Sequence, residues 1–268
     1  MIPDNKILLD VGGTFIKCSD GRSIPVDSNG SRDGIVAAFR EACRTDAVSP
    51  ADVQLRAAVP GPFDYAGGQF LMKHKFAAVY GEYFADLVGI PRENCRFAHD
   101  VNCMLLGECG DGCTVNTALV ALGTGLGFAM CVDGKILENE LGSPMLSIYN
   151  RPFRDGVLED YASKRGVTRL WLGQLPKQEA EITVKEIAER ARAGEKEAAL
   201  AFSRMGGILG EILAPIVKEY RIERLLLGGQ ISRSADLFIP SLRNELPGLA
   251  ILEVSDFDNA TFNGLKRL

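Results

Sequence analysis

Three glycine-rich turns constrain this chain more than any other feature of it: Asp10-Val-Gly-Gly-Thr14, Leu122-Gly-Thr-Gly-Leu-Gly127 and Leu227-Gly-Gly229. Each follows an apolar, strand-like run: Ile7–Leu9, Ala118–Ala121 and Leu225–Leu227. Without a Cβ, glycine lets the backbone turn tightly and lets its N–H groups come close to a phosphate. One such turn fits an ordinary hairpin. Three of them, the first entered by an aspartate, read as a nucleotide-phosphate clamp built from two lobes.

The order of elements repeats. Strands are expected at 7–10 and 15–19 around the Gly12-Gly13 turn, and at 24–26. A helix follows at 33–44, with Ile35, Phe39 and Cys43 on one face. A strand at 53–59 stops at Pro60-Gly-Pro62, and a helix at 80–88, a strand at 95–98 and a helix at 102–108 complete the first half. The second half opens with strands at 117–121, 128–132 and 135–137, the last two joined by an Asp133-Gly134 turn. Helices at 157–172, 184–193 and 196–219, a strand at 224–227, a helix at 234–245 and a strand at 250–254 complete it. This pattern predicts an α/β protein of two similar lobes, mixed sheets flanked by helices, facing each other across a cleft.

Composition excludes several classes of function. A net charge of −5 argues against a nucleic-acid partner, which needs a basic footprint. No uninterrupted apolar run reaches the ~20 residues that span a bilayer, so no membrane partner is expected. The Met1-Ile-Pro-Asp-Asn-Lys6 opening lacks a secretory pattern, which makes a cytoplasmic enzyme the expectation. Of seven cysteines, Cys18, Cys95, Cys103 and Cys131 fall in apolar stretches and read as reduced thiols. Cys109 and Cys113 are too few ligands for a structural zinc, which needs about four.

Asp10, at the end of the first strand, is placed to hold Mg²⁺ through water, the metal bridging nucleotide phosphates. Thr14 adds a hydroxyl and Lys17 a cation; the bland alternative is a hairpin whose aspartate faces solvent. Gly123-Thr-Gly-Leu-Gly127 looks like a dinucleotide fingerprint, but a hairpin follows where a helix is required, which points to a phosphate-hugging hairpin. Gly228-Gly229 reads equally as a flat surface for a base or ribose and as a plain strand-to-helix turn. Asp100 reads as the N-cap of the next helix or as a general base taking a proton from an attacking hydroxyl. The surrounding glycine turns favour the base.

Taken in order, Asp10-Val-Gly-Gly-Thr14, Pro60-Gly-Pro62, Asp100-Val-Asn102 with Leu106-Gly-Glu108, Gly123-Thr-Gly-Leu-Gly127 and Leu227-Gly-Gly229 resemble the ROK family of sugar kinases. That resemblance runs from about residue 7 to Asn263-Gly264 and implies two actin-like (ribonuclease H-like) lobes. Residues 1–112 would form the first and 113–268 the second, the C-terminal end packing back on the first. It implies Asp10, Gly12, Gly13, Thr14 and Lys17 as the first phosphate site and Gly123, Thr124, Gly125 and Gly127 as the second. Gly228 and Gly229 would be the adenosine site and Asp100 the catalytic base. The cofactors implied are ATP and Mg²⁺.

The sugar site departs from the family pattern. His99 stands where an asparagine is usual, and Glu140-Leu-Gly-Ser143 where Glu-x-Gly-His is usual. The cysteine-rich zinc motif is replaced by Arg154-Asp-Gly-Val-Leu-Glu-Asp-Tyr-Ala-Ser163, so no zinc is expected. His99, Asp100, Glu140, Ser143 and Glu159 are the implied sugar contacts, with His99 equally readable as a buried imidazole that orients Asp100. Lys73-His-Lys75 lies where the family approaches substrate, and reads in preference as a solvated basic turn.

The resemblance implies an ATP-dependent kinase acting on a hydroxyl of a hexose or hexose derivative, and a homodimer, since such proteins often pair. The alternative is a catalytically inactive sugar or nucleotide sensor. A transcriptional regulator is disfavoured, because only nine residues precede Asp10 and the charge is acidic.

Overall fold

The computed structural model describes residues 5–45, 49–110, 112–173, 182–256 and 259–268. The chain divides into two compact units: Met1–Gly110 with Glu138–Met145 and Asp258–Leu268, and Asp111–Leu137 with Leu146–Phe257.

The first unit is built on a hairpin of β1 (Lys6–Val11) and β2 (Phe15–Cys18), followed by β3 (Ser23–Pro25), helix α1 (Arg32–Ala42) and β4 (Gln54–Val59). Ser31 caps α1, its hydroxyl accepting from the Gly34 N–H at 3.2 Å. A small hairpin of β5 (Phe63–Asp64) and β6 (Gln69–Phe70), the short helix α2 (Phe84–Val88), β7 (Cys95–His99) and α3 (Asp100–Cys109) complete it. The sheet order is β3-β2-β1-β4-β7, with β1, β4 and β7 parallel and β2 and β3 antiparallel to their neighbours. Register pairs Asp10 with Ala58 and Val59 with His99, so Asp10, the end of β4 and His99 share the carboxyl end of the parallel strands. Ligands of open α/β sheets bind at that end. One face is filled by stacked and tilted rings, with Phe39 4.6 Å from Phe84 and 5.5 Å from Phe70.

The second unit has the same plan. Its strands are β8 (Thr117–Leu122), β9 (Leu126–Val132) and β10 (Lys135–Ile136), then the small pair β11 (Pro152–Phe153) and β12 (Gly156–Val157). Helices α4 (Lys164–Leu172), α5 (Val184–Arg192) and α6 (Lys196–Glu219) follow, then β13 (Arg224–Gly228), α7 (Ile239–Glu245) and β14 (Ile251–Val254). The order β10-β9-β8-β13-β14 matches the first sheet position for position, hairpin first and parallel strands after. Asp133 and Gly134 join β9 to β10 with φ of 51° and 75°, the two-residue turn with both centres left-handed. Trp171, Phe202 and Phe238 are fully buried in this unit's core. By length and composition α6 could cross a bilayer; here Phe202, Met205, Leu209 and Leu213 of that helix are packed in the same core.

The chain ends in α8 (Ala260–Leu265), which packs on α3 and, through Leu265, on Leu8, Ala58 and Ala98 of the first unit.

Three expected helices differ. Residues 80–83 are outside α2, because Gly81 takes φ 80° and Tyr83 bridges Gln69. Residues 157–163 hold the end of β12 and a 3-10 turn, Leu158–Asp160, where Asp160 Oδ2 accepts from the Val157 N–H at 3.0 Å. The stretch 234–245 is a 3-10 segment, Gln230–Leu237, broken at Phe238 before α7. Asp100 is the first residue of α3, and its cap is His99.

Candidate functional site

In the first unit, Asp10 closes β1 opposite Lys17 on β2, with Lys17 Nζ 3.8 Å from its Oδ2. Burial pushes the Asp10 carboxyl up to about 6, with Lys17 opposing and the Asp100 charge adding to the rise. A hard oxygen donor left short of positive charge is what a divalent cation such as Mg²⁺ relieves. The turn after it is held by the Gly12 N–H donating to the Phe15 carbonyl at 2.9 Å. A Cβ on Gly12 would lie 2.8 Å from that oxygen, so only glycine closes the turn. Thr14 is exposed, and its carbonyl accepts from the Val26 N–H at 2.9 Å.

Asp100 begins α3 where β7 ends. Its Oδ1 lies 2.8 Å from His99 Nδ1 and accepts from the Val101 N–H at 2.7 Å. Burial alone would raise the Asp100 carboxyl; the His99 imidazole, the Val101 N–H and the charge of Lys75 outweigh it and hold it below the usual carboxylate range. Asp100 is therefore an ionised acceptor at neutral pH. The other edge of His99 faces Gly61, where a Cβ would stand 3.3 Å from Nε2. The His99 ring lies 5.8 Å from that of Tyr65, whose hydroxyl donates to the Val59 carbonyl at 2.8 Å.

The segment Glu138–Met145 counts with the first unit. Asn102, one turn into α3 and 2% exposed, donates through Nδ2 to Glu138 Oε1 at 2.9 Å and to the Gly142 carbonyl at 3.3 Å. The Tyr65 N–H donates to the Leu141 carbonyl at 3.0 Å. Ser143 is partly buried, and its N–H donates to Asn139 Oδ1 at 3.1 Å. Glu140 is exposed. Burial raises the Glu138 carboxyl, with Asn102 opposing. Asn102, Glu138 and Tyr65 were missed as site residues from sequence. The available signal was Asn102 itself, two positions after Asp100 and so at the same end of the helix.

In the second unit, β8 and β13 end together, Ala121 opposite Gly228. The second glycine turn is closed by the Gly123 N–H donating to the Gly125 carbonyl at 3.0 Å, Thr124 exposed at its tip and Gly127 already paired in β9 with Ala121. Glu159 braces this turn: Oε2 accepts from the Leu126 N–H at 2.9 Å and Oε1 from Arg165 at 2.9 Å. Gly228 accepts from the Ser232 hydroxyl at 2.7 Å. Gly229, at φ 79°, fits closely against Leu122, where a Cβ would sit 2.3 Å from the carbonyl oxygen.

The expected residues thus fall into two sets. Asp10, Gly12, Gly13, Thr14, Lys17, His99, Asp100, Glu140 and Ser143 belong to the first unit. Gly123, Thr124, Gly125, Gly127, Glu159, Gly228 and Gly229 belong to the second.

A model of the ROK family matches residues 85–260. The glucokinase of Halalkalibacterium halodurans is 25% identical over 183 residues, covering 59% of this chain and 55% of that protein. The chain spans between half and two thirds of the curated relatives it matches. A glucokinase structure from Parabacteroides distasonis superposes with a TM-score of 0.77 at 20% identity, over 100% of this chain and 97% of that one. A ROK family glucokinase from Streptomyces griseus, solved with glucose and AMPPNP, gives a TM-score of 0.71 at 22% identity over 97% of each chain. At these identities the structural likeness carries the fold, which is the actin-like α/β architecture.

Proposed function

The chain belongs to the ROK family, and on that premise we propose that it is an ATP-dependent sugar kinase, transferring the γ-phosphate to a hydroxyl of a hexose or hexose derivative. The observation that carries the reading is the pairing of Asp100 with His99 at the carboxyl end of the first sheet, the end that also holds Asp10 and its glycine turn.

Asp100 accepts the proton of the acceptor hydroxyl as that oxygen attacks phosphorus. His99 and the Val101 N–H hold the carboxylate in its ionised form and fix its direction. The residue that would hold Mg²⁺, through water, is Asp10; when bound, the ion neutralises phosphate charge. The backbone N–H groups of the two glycine turns other than those of Gly12 and Gly123 take phosphate oxygens, and Gly228 with Gly229 takes the adenosine. Sugar hydroxyls are read by His99, Glu140, Ser143 and Glu159, and the exchange of asparagine for His99 and of histidine for Ser143 changes which sugar fits. No zinc has a place in this reading.

The test is Mg²⁺-dependent ADP release from ATP against a panel of hexoses, hexosamines and N-acylated amino sugars. Turnover with one sugar, lost in Asp100→Asn, upholds the kinase. Nucleotide binding without turnover on any sugar would point to a non-sugar acceptor or to a sensor.

A further inference from the structure

The basic turn Lys73-His-Lys75 divides in two. Lys73 is exposed, its ammonium 5.2 Å from the Tyr80 ring centroid. Lys75 is partly buried and lays its stem over the first glycine turn: a methyl group built on Gly13 would stand 3.7 Å from both its Cδ and its Cε.

The backbone fixes that placement. The Ser28 N–H donates to the Gly13 carbonyl at 3.1 Å, and the Phe76 N–H donates to the Ser28 carbonyl at 2.6 Å, so the turn, the Ser28 segment and the residue after Lys75 are tied in series. Phe76 takes φ 50°, a left-handed conformation that costs about 1–2 kcal/mol outside glycine. Its fully buried ring, 5.6 Å from Phe39 and 5.9 Å from Phe70, offsets that cost. A strained residue held by packing beside a half-buried cation is a mark of a functional site.

Two cations flank the glycine turn, and they differ. Lys17 is paired with Asp10 at 3.8 Å. Lys75 makes no ion pair or hydrogen bond among the described residues, while its charge reaches Asp100. An unpaired ammonium between a phosphate turn and a general base stands where negative charge gathers during phosphoryl transfer. Its seat over Gly13 favours a phosphate over an anionic group on the acceptor.

We propose that Lys75 is the cation that receives the γ-phosphate of the nucleotide, a role that rests on the phosphoryl-transfer reading above and sharpens it. Lys75 thereby distinguishes a triphosphate from a diphosphate.

The experiment is calorimetric titration of AMPPNP and of ADP, each with Mg²⁺, into the wild-type chain, Lys75→Met, Lys75→Arg and Lys73→Met. A charge-assisted contact of this kind corresponds to about ten- to a hundredfold in affinity. Lys75→Met is expected to lose that factor for AMPPNP and to keep its ADP affinity within about twofold, with Lys75→Arg recovering part of the loss and Lys73→Met unchanged. Retained ADP binding shows that the variant is folded. Unchanged AMPPNP affinity, or an equal loss for both nucleotides, overturns the assignment while leaving the kinase reading in place. A wild-type chain that binds neither nucleotide overturns both.

Discussion

His99 Nδ1 and Asp100 Oδ1 stand 2.8 Å apart across the junction of β7 and α3. At that separation the imidazole must present a proton to the carboxylate, because two lone pairs would repel; a protonated Nδ1 cannot accept as well, so the Val101 N–H, 3.4 Å from it, donates to Asp100 Oδ1 instead. His99→Ala removes one of the groups that hold Asp100 ionised, so the Asp100 pKa rises. The acid limb of the kcat/KM profile is expected to move to higher pH. An unmoved limb would mean that His99 contacts sugar without tuning the base.

Asp100→Asn tests the base itself. An amide oxygen can still accept from both the Val101 N–H and the His99 ring N–H, so the fold should survive. General-base catalysis contributes about 10²–10⁴-fold, and a loss of that size in kcat is expected with nucleotide affinity preserved. Turnover within about threefold of wild type would reduce Asp100 to a helix-start residue, well short of a base's contribution.

The hairpins were legible because alternation and glycine turns are local: β1–β2 and β9–β10 sit where the pattern places them, and α6 spans the expected 196–219. Residues 80–83 and 157–163 were read as helix because their partners, Gln69 for Tyr83 and the Asp160 carboxylate for Val157, are contacts that periodicity does not encode. The types of Asp10 and Asp100 could be read from the sequence, but their partners could not. Asn102 and Glu138 are 36 positions apart, and Glu159 accepts from Leu126 and Arg165. Such pairings come from tertiary packing.

Asp10 gives a prediction with a definite sign. Burial raises its pKa from 3.8 to about 6, so the folded chain holds its proton more tightly than the unfolded one. The associated stability is fully present below pH 3.8 and is lost as pH rises through about 6. Two pH units correspond to up to about 3 kcal/mol. Asp10→Asn should therefore melt higher than wild type at pH 7.5 and no higher at pH 4, while losing Mg²⁺-dependent nucleotide affinity. Parallel melting curves at both pH values would contradict the burial of that charge.

Asn102 ties the Glu138–Met145 segment to the helix that Asp100 begins. Asn102→Ala removes the hydrogen bonds to Glu138 and to the Gly142 carbonyl; water reaches the exposed Glu138 carboxylate, so the cost is about 1 kcal/mol. The buried Oδ1, which has no partner among the described residues, leaves with it and lightens that cost. Because Ser143 and Glu140 ride on the tied segment, the acceptor KM should rise several-fold with ADP affinity unchanged. A stability loss without any change in KM would make Asn102 purely structural.

The crossing of α3 and α8 sets two glycine substitutions against each other. Alanine is better than glycine in a helix interior by about 1 kcal/mol, so propensity alone favours Gly264→Ala and Gly207→Ala equally. The structure separates them. A Cβ on Gly264 would stand 1.9 Å from the Cys103 carbonyl oxygen, and one on the facing Gly107 would stand 2.0 Å from that of Ala260. Neither contact can be relieved by a rotamer change, because both obstacles are backbone. Overpacking of this kind costs about 1–3 kcal/mol or more, which outweighs the propensity gain. On α6, a Cβ at Gly207 would meet nothing within 4 Å. Chemical denaturation is expected to find Gly264→Ala destabilised by about 2 kcal/mol and Gly207→Ala stabilised by up to about 1 kcal/mol. Equal shifts of the same sign would show that α3 and α8 do not meet backbone to backbone.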